Sequence, residues 1–122
     1  MASKVKVLVV EDEIFVRMNI AEHLSDAGFD VLEAGNADEA IRIIENTQDI
    51  RLVFTDIDMP GSLDGLKLAA AVADRWPPIR IIITSGHRLV EITDLPDGSV
   101  FFSKPYLPQH IEGAIVELLN SA

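Results

Sequence analysis

The stretch LVFTDIDMPG, residues 52–61, is an apolar run that ends in two aspartates, Asp56 and Asp58, and then in a Pro60-Gly61 break. Its first residues show no apolar–polar alternation, as expected of a parallel strand buried on both faces. Pro60-Gly61 bars any continuation of that strand. Two carboxylates so close together at the end of a buried strand repel each other unless a cation compensates. The stretch therefore raises two questions: what sheet it belongs to, and which aspartate does chemistry.

The rest of the chain supplies the sheet. Apolar runs at KVKVLVV (4–10), DVLEA (30–34), RLVFT (51–55), IRIIIT (79–84) and SVFF (99–102) are the strand candidates. Segments of helical period separate them. Val16, Ile20, Leu24 and Ala27 form one stripe, with Gly28 where a C-terminal cap belongs. Asn36, with Glu39 three residues on, opens a second helix with Ala37, Ala40, Ile41 and Ile44 on one face. Leu66, Ala69, Ala70 and Ala73 make a third stripe, ended near Trp76 by Pro77-Pro78. Ile111, Ala114, Ile115 and Leu118 make the last, with Pro108 suited to its first turn. Between Thr84 and Ser99 only Leu89, Val90 and Ile92 suggest a helix, and Pro96 and Asp97-Gly98 interrupt it, so a short or irregular fourth helix is expected. Strands alternating with helices predict an α/β sandwich with a parallel sheet and right-handed crossovers. For so short a chain the flavodoxin-like (βα)5 order 2-1-3-4-5 is expected, over a single domain spanning residues 1–122.

Composition narrows the function. Of 122 residues, 48% are hydrophobic and 25% charged, as in an ordinary soluble globule, and no apolar run approaches the roughly 18–20 residues of a membrane span. Cysteine is absent and the start carries no signal-peptide pattern, which fits a cytoplasmic location. Ten Lys and Arg against twenty Asp and Glu give a formal charge of −10 with no basic cluster, which argues against direct nucleic-acid binding and favours divalent cations. With the last helix finishing and no linker pattern beginning, a stand-alone unit is expected in preference to a piece of a longer protein.

The 2-1-3-4-5 order brings the carboxyl ends of the strands to one edge, where such folds bind ligands. There strand 1 ends in Glu11-Asp12-Glu13, strand 3 in Asp56 and Asp58, strand 4 in Thr84-Ser85-Gly86 and strand 5 in Ser103-Lys104-Pro105. Taken singly, each has an ordinary reading: a solvated first turn, a turn former, a loop, a surface lysine. Taken together, carboxylate oxygens suit Mg²⁺, a lysine and a metal can neutralise a phosphoryl group, a threonine can donate to it, and an aspartate can be the nucleophile. His23, His87 and His110 lack metal-ligand spacing and suit surface or helix-end roles. Trp76 is read as packing a helix end, and Met18 and Met59 as apolar fillers.

The motifs VLVVEDE, LVFTDIDMPGSLDGL, IIITSG and FFSKPY, in this order, resemble the receiver domain of two-component response regulators (CheY-like, stand-alone type) over essentially the whole chain. The resemblance implies that Asp56 accepts a phosphoryl group from a phosphohistidine of a sensor histidine kinase or histidine phosphotransfer protein. It implies Mg²⁺ (or Mn²⁺) bound by Asp12, Asp56 and the backbone carbonyl of Asp58, with Glu11 nearby acting through water. Thr84 then bonds the phosphoryl group, Lys104 is the ion-pair partner, Phe101 is an aromatic switch with Thr84, and the Lys104–Pro105 peptide is cis. The expected output is a conformational switch for protein–protein signalling that dephosphorylates itself, as a monomer or weak dimer without turnover of an external substrate. Glu11 stands where Asp is also common, the turn after Pro60 is one residue longer than the usual version, and Leu107 offers the last helix no side-chain cap. Phe101 also admits a plain reading as a core strand aromatic.

Other functions fit less well. Asp-X-Asp after a strand also resembles the nucleophile motif of haloacid-dehalogenase-type phosphatases, with Asp56 and Asp58 as the couple. That motif belongs on a first strand with a longer chain behind it, and it leaves Glu11-Asp12 unexplained. A flavodoxin-like cofactor carrier needs a phosphate loop after strand 1, where this chain has three acids. A phosphate-independent pseudo-receiver would not need every key residue type to be present.

Overall fold

The computed structural model describes residues 4–58, 65–86 and 95–120. Five strands, β1 (Lys6–Val10), β2 (Asp30–Ala34), β3 (Ile50–Asp56), β4 (Arg80–Ser85) and β5 (Val100–Ser103), form one parallel sheet in the order β2-β1-β3-β4-β5. Each agrees with a strand expected from the sequence to within about two residues, the ordinary uncertainty of an element boundary. Four helices lie among the described residues: α1 (Ile14–Asp26), α2 (Ala37–Asn46), α3 (Gly65–Arg75) and α4 (Pro108–Asn120). The expected irregular helix falls mainly on residues 87–94, which lie outside the described residues. So do Met59, His87 and the turn after Pro60.

Alternation along each strand divides the core. Leu8 and Val10 of β1, Val53 of β3 and Ile81 and Ile83 of β4 join Ala37, Ala40 and Ile44 of α2 and Leu68, Ala69 and Val72 of α3 on one face. Val7, Val9, Leu52, Phe54 and Ile82 join Ile20 and Leu24 of α1 and Ile111 and Ile115 of α4 on the other. Burial on both faces is why β1, β3 and β4 carry nearly unbroken apolar runs. β5, at the sheet edge, is only half-buried, and Phe101 on it is 37% exposed, which excludes the core-aromatic reading.

The helix ends follow local chemistry. The Asn36 side chain accepts from the amide of Glu39 at 2.8 Å, capping α2 as its spacing implied. Gly28, with φ of 104°, turns the chain just past the Ala27 cap of α1. Three expectations fail. Ala27, read as part of the α1 stripe, is exposed just past the helix, and Ala21 is buried with Ile20 and Leu24 instead. Ala70 is exposed, and α3 buries Leu68, Ala69 and Val72, with Leu66 and Ala73 at its flanks. Met18 is 52% exposed and fills nothing. Trp76 does pack against the helix end, beneath the Arg75 guanidinium at 4.3 Å, and His23 joins Glu112 of α4 at 2.8 Å. Among the described residues no helix is long and apolar enough to cross a membrane.

Candidate functional site

The same alternation that builds the α1/α4 face of the core carries it to the carboxyl edge. Val7, Val9 and then Glu11 follow one parity, as do Leu52, Phe54 and Asp56, and Ile82 and Thr84. Asp56 is the register partner of Thr84 across β3 and β4, so their side chains leave the sheet on one face. Glu11 (1% exposed), Asp56 (2%) and Thr84 (0%) are thus buried polar groups at the top of an apolar layer.

Lys104 arrives from the far edge, just past β5. Its amide bonds the Ser85 carbonyl at 3.0 Å, and the Lys104–Pro105 peptide is cis. Its Nζ donates to Glu11 Oε1 and to Asp56 Oδ2, both at 2.9 Å. The second oxygen of each acid is also engaged: Glu11 Oε2 accepts from the Glu13 amide and Asp56 Oδ1 from the Asp58 amide, both at 3.1 Å. Carboxylate oxygens of Glu11, Asp12 and Asp56 all lie within 4.8 Å of one another, with Asp12 exposed to solvent. The Thr84 hydroxyl is buried and has no hydrogen-bond partner among the described residues. An unpaired buried hydroxyl costs about 1–3 kcal/mol, so its position needs a reason.

Two acids share one ammonium here, and the protonation equilibria respond. Burial raises the Glu11 pKa, the Asp56 charge adds to the rise, and the bonds from Lys104 and the Glu13 amide oppose it. Burial alone would depress Lys104, but its bonds to Glu11 and Asp56 outweigh that and hold the ammonium above the usual lysine range. Both shifts favour bound protons, as they must in a dry cluster with one negative charge in excess. Tyr106 is pushed up to about 12, by burial first and by the Glu11 charge next, and stays neutral. Its ring meets Phe54 edge-on at 5.5 Å, anchoring the segment after Lys104 to the core.

The two aspartates of the opening stretch are unequal in this geometry. The Asp58 carboxylate accepts from Ser85 Oγ at 2.8 Å and from the Gly86 amide at 3.2 Å. It thereby ties the end of β3 to the end of β4. A cavity of about 570 Å³ opens beside the cluster, lined by Phe15 and Val16 of α1 and by Gly86, Lys104, Pro105 and Tyr106. Gly86 keeps that wall low: a Cβ there would lie 3.3 Å from Lys104 Cβ.

Two residues escaped the sequence reading. A Cβ on Gly65 would overlap the carbonyl oxygen of Asp56 and lie 2.6 Å from Ile57 Cα, so only glycine lets α3 begin against the strand end. A glycine opening a helix directly after the Asp-X-Asp turn was the available signal. Arg17 bonds the Glu11 carbonyl at 3.0 Å, a contact no periodicity announces.

Comparison with known proteins gives the family and agrees with the fold. The family profile "Response regulator receiver domain" matches residues 7–115. A putative response regulator NtrX-like of Rickettsia typhi is 38% identical over 90 residues, 73% of this chain but only 19% of that protein. A chemotaxis protein CheY homolog of Campylobacter jejuni is 31% identical over 122 residues, 95% of this chain and 93% of its own length. The crystal structure of a response regulator receiver protein from Sinorhizobium medicae superposes with a TM-score of 0.89 at 29% identity, over 98% of this chain and 97% of that one. The chain spans about a fifth of the length of its NtrX-like relatives and nearly all of the CheY-like ones. Strand order and overall structural likeness thus converge with the family match, and the chain belongs to the response regulator receiver domain family of two-component signalling.

Proposed function

We propose that this chain is a phosphorylation-controlled receiver whose acceptor is Asp56. One observation carries the reading: the Asp56 carboxylate is bonded by Lys104 and lies beside Thr84, a buried hydroxyl donor without an acceptor among the described residues. Such a corner suits an incoming group rich in acceptor oxygens.

The donor is a phosphohistidine of a sensor histidine kinase or phosphotransfer protein. An Asp56 carboxylate oxygen attacks phosphorus; the new O–P bond forms as the P–N bond breaks, and the electron pair stays on the imidazole nitrogen. The Asp58 amide, bonded to Oδ1, fixes the carboxylate plane. Lys104 neutralises a phosphoryl oxygen, and the Thr84 hydroxyl donates to another. Water then attacks the acyl phosphate, releasing inorganic phosphate and restoring Asp56, with no external substrate turned over. In this reading Phe101, exposed on β5 and three residues before Lys104, is the aromatic that follows Thr84 when the switch occurs. Protein–protein output follows from that change of surface.

The acid cluster fits a hard divalent cation: its donors are all oxygen, and its negative charge exceeds what Lys104 offsets. Asp12, Asp56 and the Asp58 carbonyl would hold it, with Glu11 beside them acting through water. When bound, Mg²⁺ (or Mn²⁺) supplies the positive charge that offsets phosphoryl oxygens.

Incubation with Mg²⁺ and acetyl phosphate, followed by intact-mass measurement, tests the assignment. Asp58→Asn is expected to form the acyl phosphate and Asp56→Asn to form none. Labelling that persists in Asp56→Asn sinks the proposal. Sustained hydrolysis of a free phosphomonoester would instead mark a true phosphatase.

A further inference from the structure

Arg17 has no part in the chemistry above, yet its side chain is only 20% exposed and reaches across three elements. From the first turns of α1 its Nη1 donates to the backbone carbonyl of Glu11 at 3.0 Å, while Nε donates to Glu33 Oε1 of β2 at 3.2 Å. The loop after β2 makes room for it: a Cβ on Gly35 would stand 3.1 Å from Nη1.

The carbonyl that Arg17 holds is the significant atom. It belongs to the same rigid peptide plane as the Asp12 amide. On the other side of Glu11, its own amide is tied to the Ala34 carbonyl at 3.0 Å. With both flanking peptides fixed, the Glu11 side chain is directed to Lys104 and the Asp12 side chain to the common space with Asp56. A guanidinium suits this task, since Nε and Nη1 are separate donors held in one rigid plane and so fix the direction of both bonds, which the rotatable ammonium of a lysine does not. Glu33 holds the guanidinium in place, so it does not swing into the acid cluster.

We propose that Arg17 is a positioning residue for the divalent-cation site: it locks the Glu11–Asp12 peptide so that both carboxylates face Asp56, with Glu33 and Gly35 holding the guanidinium in register. This rests on the reading that Glu11, Asp12 and Asp56 gather around a cation.

Calorimetric titration of Mg²⁺ into the purified chain tests it, with Arg17→Met, Arg17→Lys and Glu33→Gln beside the wild type. Arg75→Met, at the opposite end of the sheet, serves as control. Loss of a group that orients metal ligands typically weakens binding about 10- to 100-fold, and roughly tenfold is expected for Arg17→Met. Arg17→Lys is expected to recover part of that, Glu33→Gln to lose less than Arg17→Met, and Arg75→Met to match the wild type. The Mg²⁺ concentration giving half-maximal acyl-phosphate formation should rise with the dissociation constant, while the rate at saturating Mg²⁺ stays within about twofold. A purely structural role predicts a lower unfolding midpoint with unchanged Mg²⁺ affinity, and that result overturns the proposal. Should Arg17→Met fail to fold, unchanged affinity in Arg17→Lys and Glu33→Gln overturns it equally. A wild type that binds no Mg²⁺ removes the cation site and this role together; a wild type that binds, with variants that bind as tightly, removes the role of Arg17 alone.

Discussion

The Glu11–Lys104–Asp56 cluster at the carboxyl edge and the Arg75–Glu45 pair between α3 and α2 have nearly the same bond lengths, 2.9 Å and 2.8 Å. Their surroundings differ completely. The acids of the first are 2–3% exposed and two share one ammonium, whereas the partners of the second are 47% and 42% exposed and match one to one. Distance therefore says little about what either is worth. Water screens the outer pair, so forming it changes little. The two acids of the inner cluster are buried and carry one negative charge more than Lys104 offsets, so each member is felt by the others. An unbalanced, dry cluster is poorly suited to stabilising a fold and well suited to receiving a cation and a phosphoryl group.

The largest expected break in the comparison is Lys104→Met. It leaves two buried carboxylates facing each other, and removing one partner of a buried ion pair costs about 3–5 kcal/mol. Urea unfolding in the presence of a chelator should show that loss, and a loss under about 1 kcal/mol would contradict the picture of a water-poor cluster. Asp56→Asn is the sharper counterpart. It leaves Glu11 and Lys104 as a balanced pair, so the lost bond to Lys104 is offset by relief of repulsion between the acids. Stability within about 1 kcal/mol of the wild type is expected, together with complete loss of acyl-phosphate formation. A variant as unstable as Lys104→Met would show that attraction, and not imbalance, dominates the cluster.

Much of this was legible in the order of residues, for a physical reason. Burial on both faces writes β1, β3 and β4 as apolar runs, and a side chain at the end of such a run continues its parity, so Glu11, Asp56 and Thr84 emerge on one face. The α3 face was misread because Ala69, Ala70, Ala71 and Ala73 give little contrast between sides. The helix begins where Gly65 closely approaches the Asp56 carbonyl, a backbone contact that the pattern of side chains does not report. Arg17 and the Asp58 side chain were illegible for a related reason. Each has one backbone partner, the Glu11 carbonyl for Arg17 and the Gly86 amide for Asp58, and one side-chain partner on a different strand, and neither kind of contact leaves a signature in composition or period.

A smaller break comes through pH. The Glu11 pKa is raised above 4.5, so between that value and its folded pKa the native chain binds more protons than the unfolded one. Stability then falls as pH rises through that window and levels off above it. Glu11→Gln should remove this component. Urea midpoints with chelator from about pH 4.5 to 7 should therefore diverge, with the wild type losing ground to Glu11→Gln as pH rises. Convergence with rising pH would mean that Lys104 more than compensates the burial of Glu11. Lys104 adds no slope here: its pKa is raised, so its contribution is fully present below 10.5 and is lost as pH rises from 10.5 through its folded value.

The smallest effect belongs to the outer pair, and its smallness is the informative part. A double-mutant cycle on Arg75→Ala and Glu45→Ala should give a coupling of about 0.2–1 kcal/mol, shrinking as salt is raised. Arg75→Ala alone should cost slightly more than the coupling, because the guanidinium also lies over Trp76, and such a contact at an exposed site is worth about 0.5–1 kcal/mol. That excess should survive in the Glu45→Ala background and vanish when Trp76 is replaced by leucine. A coupling of several kcal/mol, insensitive to salt, would place the outer pair in the same class as the inner cluster. The contrast in burial would then have no energetic meaning, and the case for an unusually charged carboxyl edge would rest on residue identity alone.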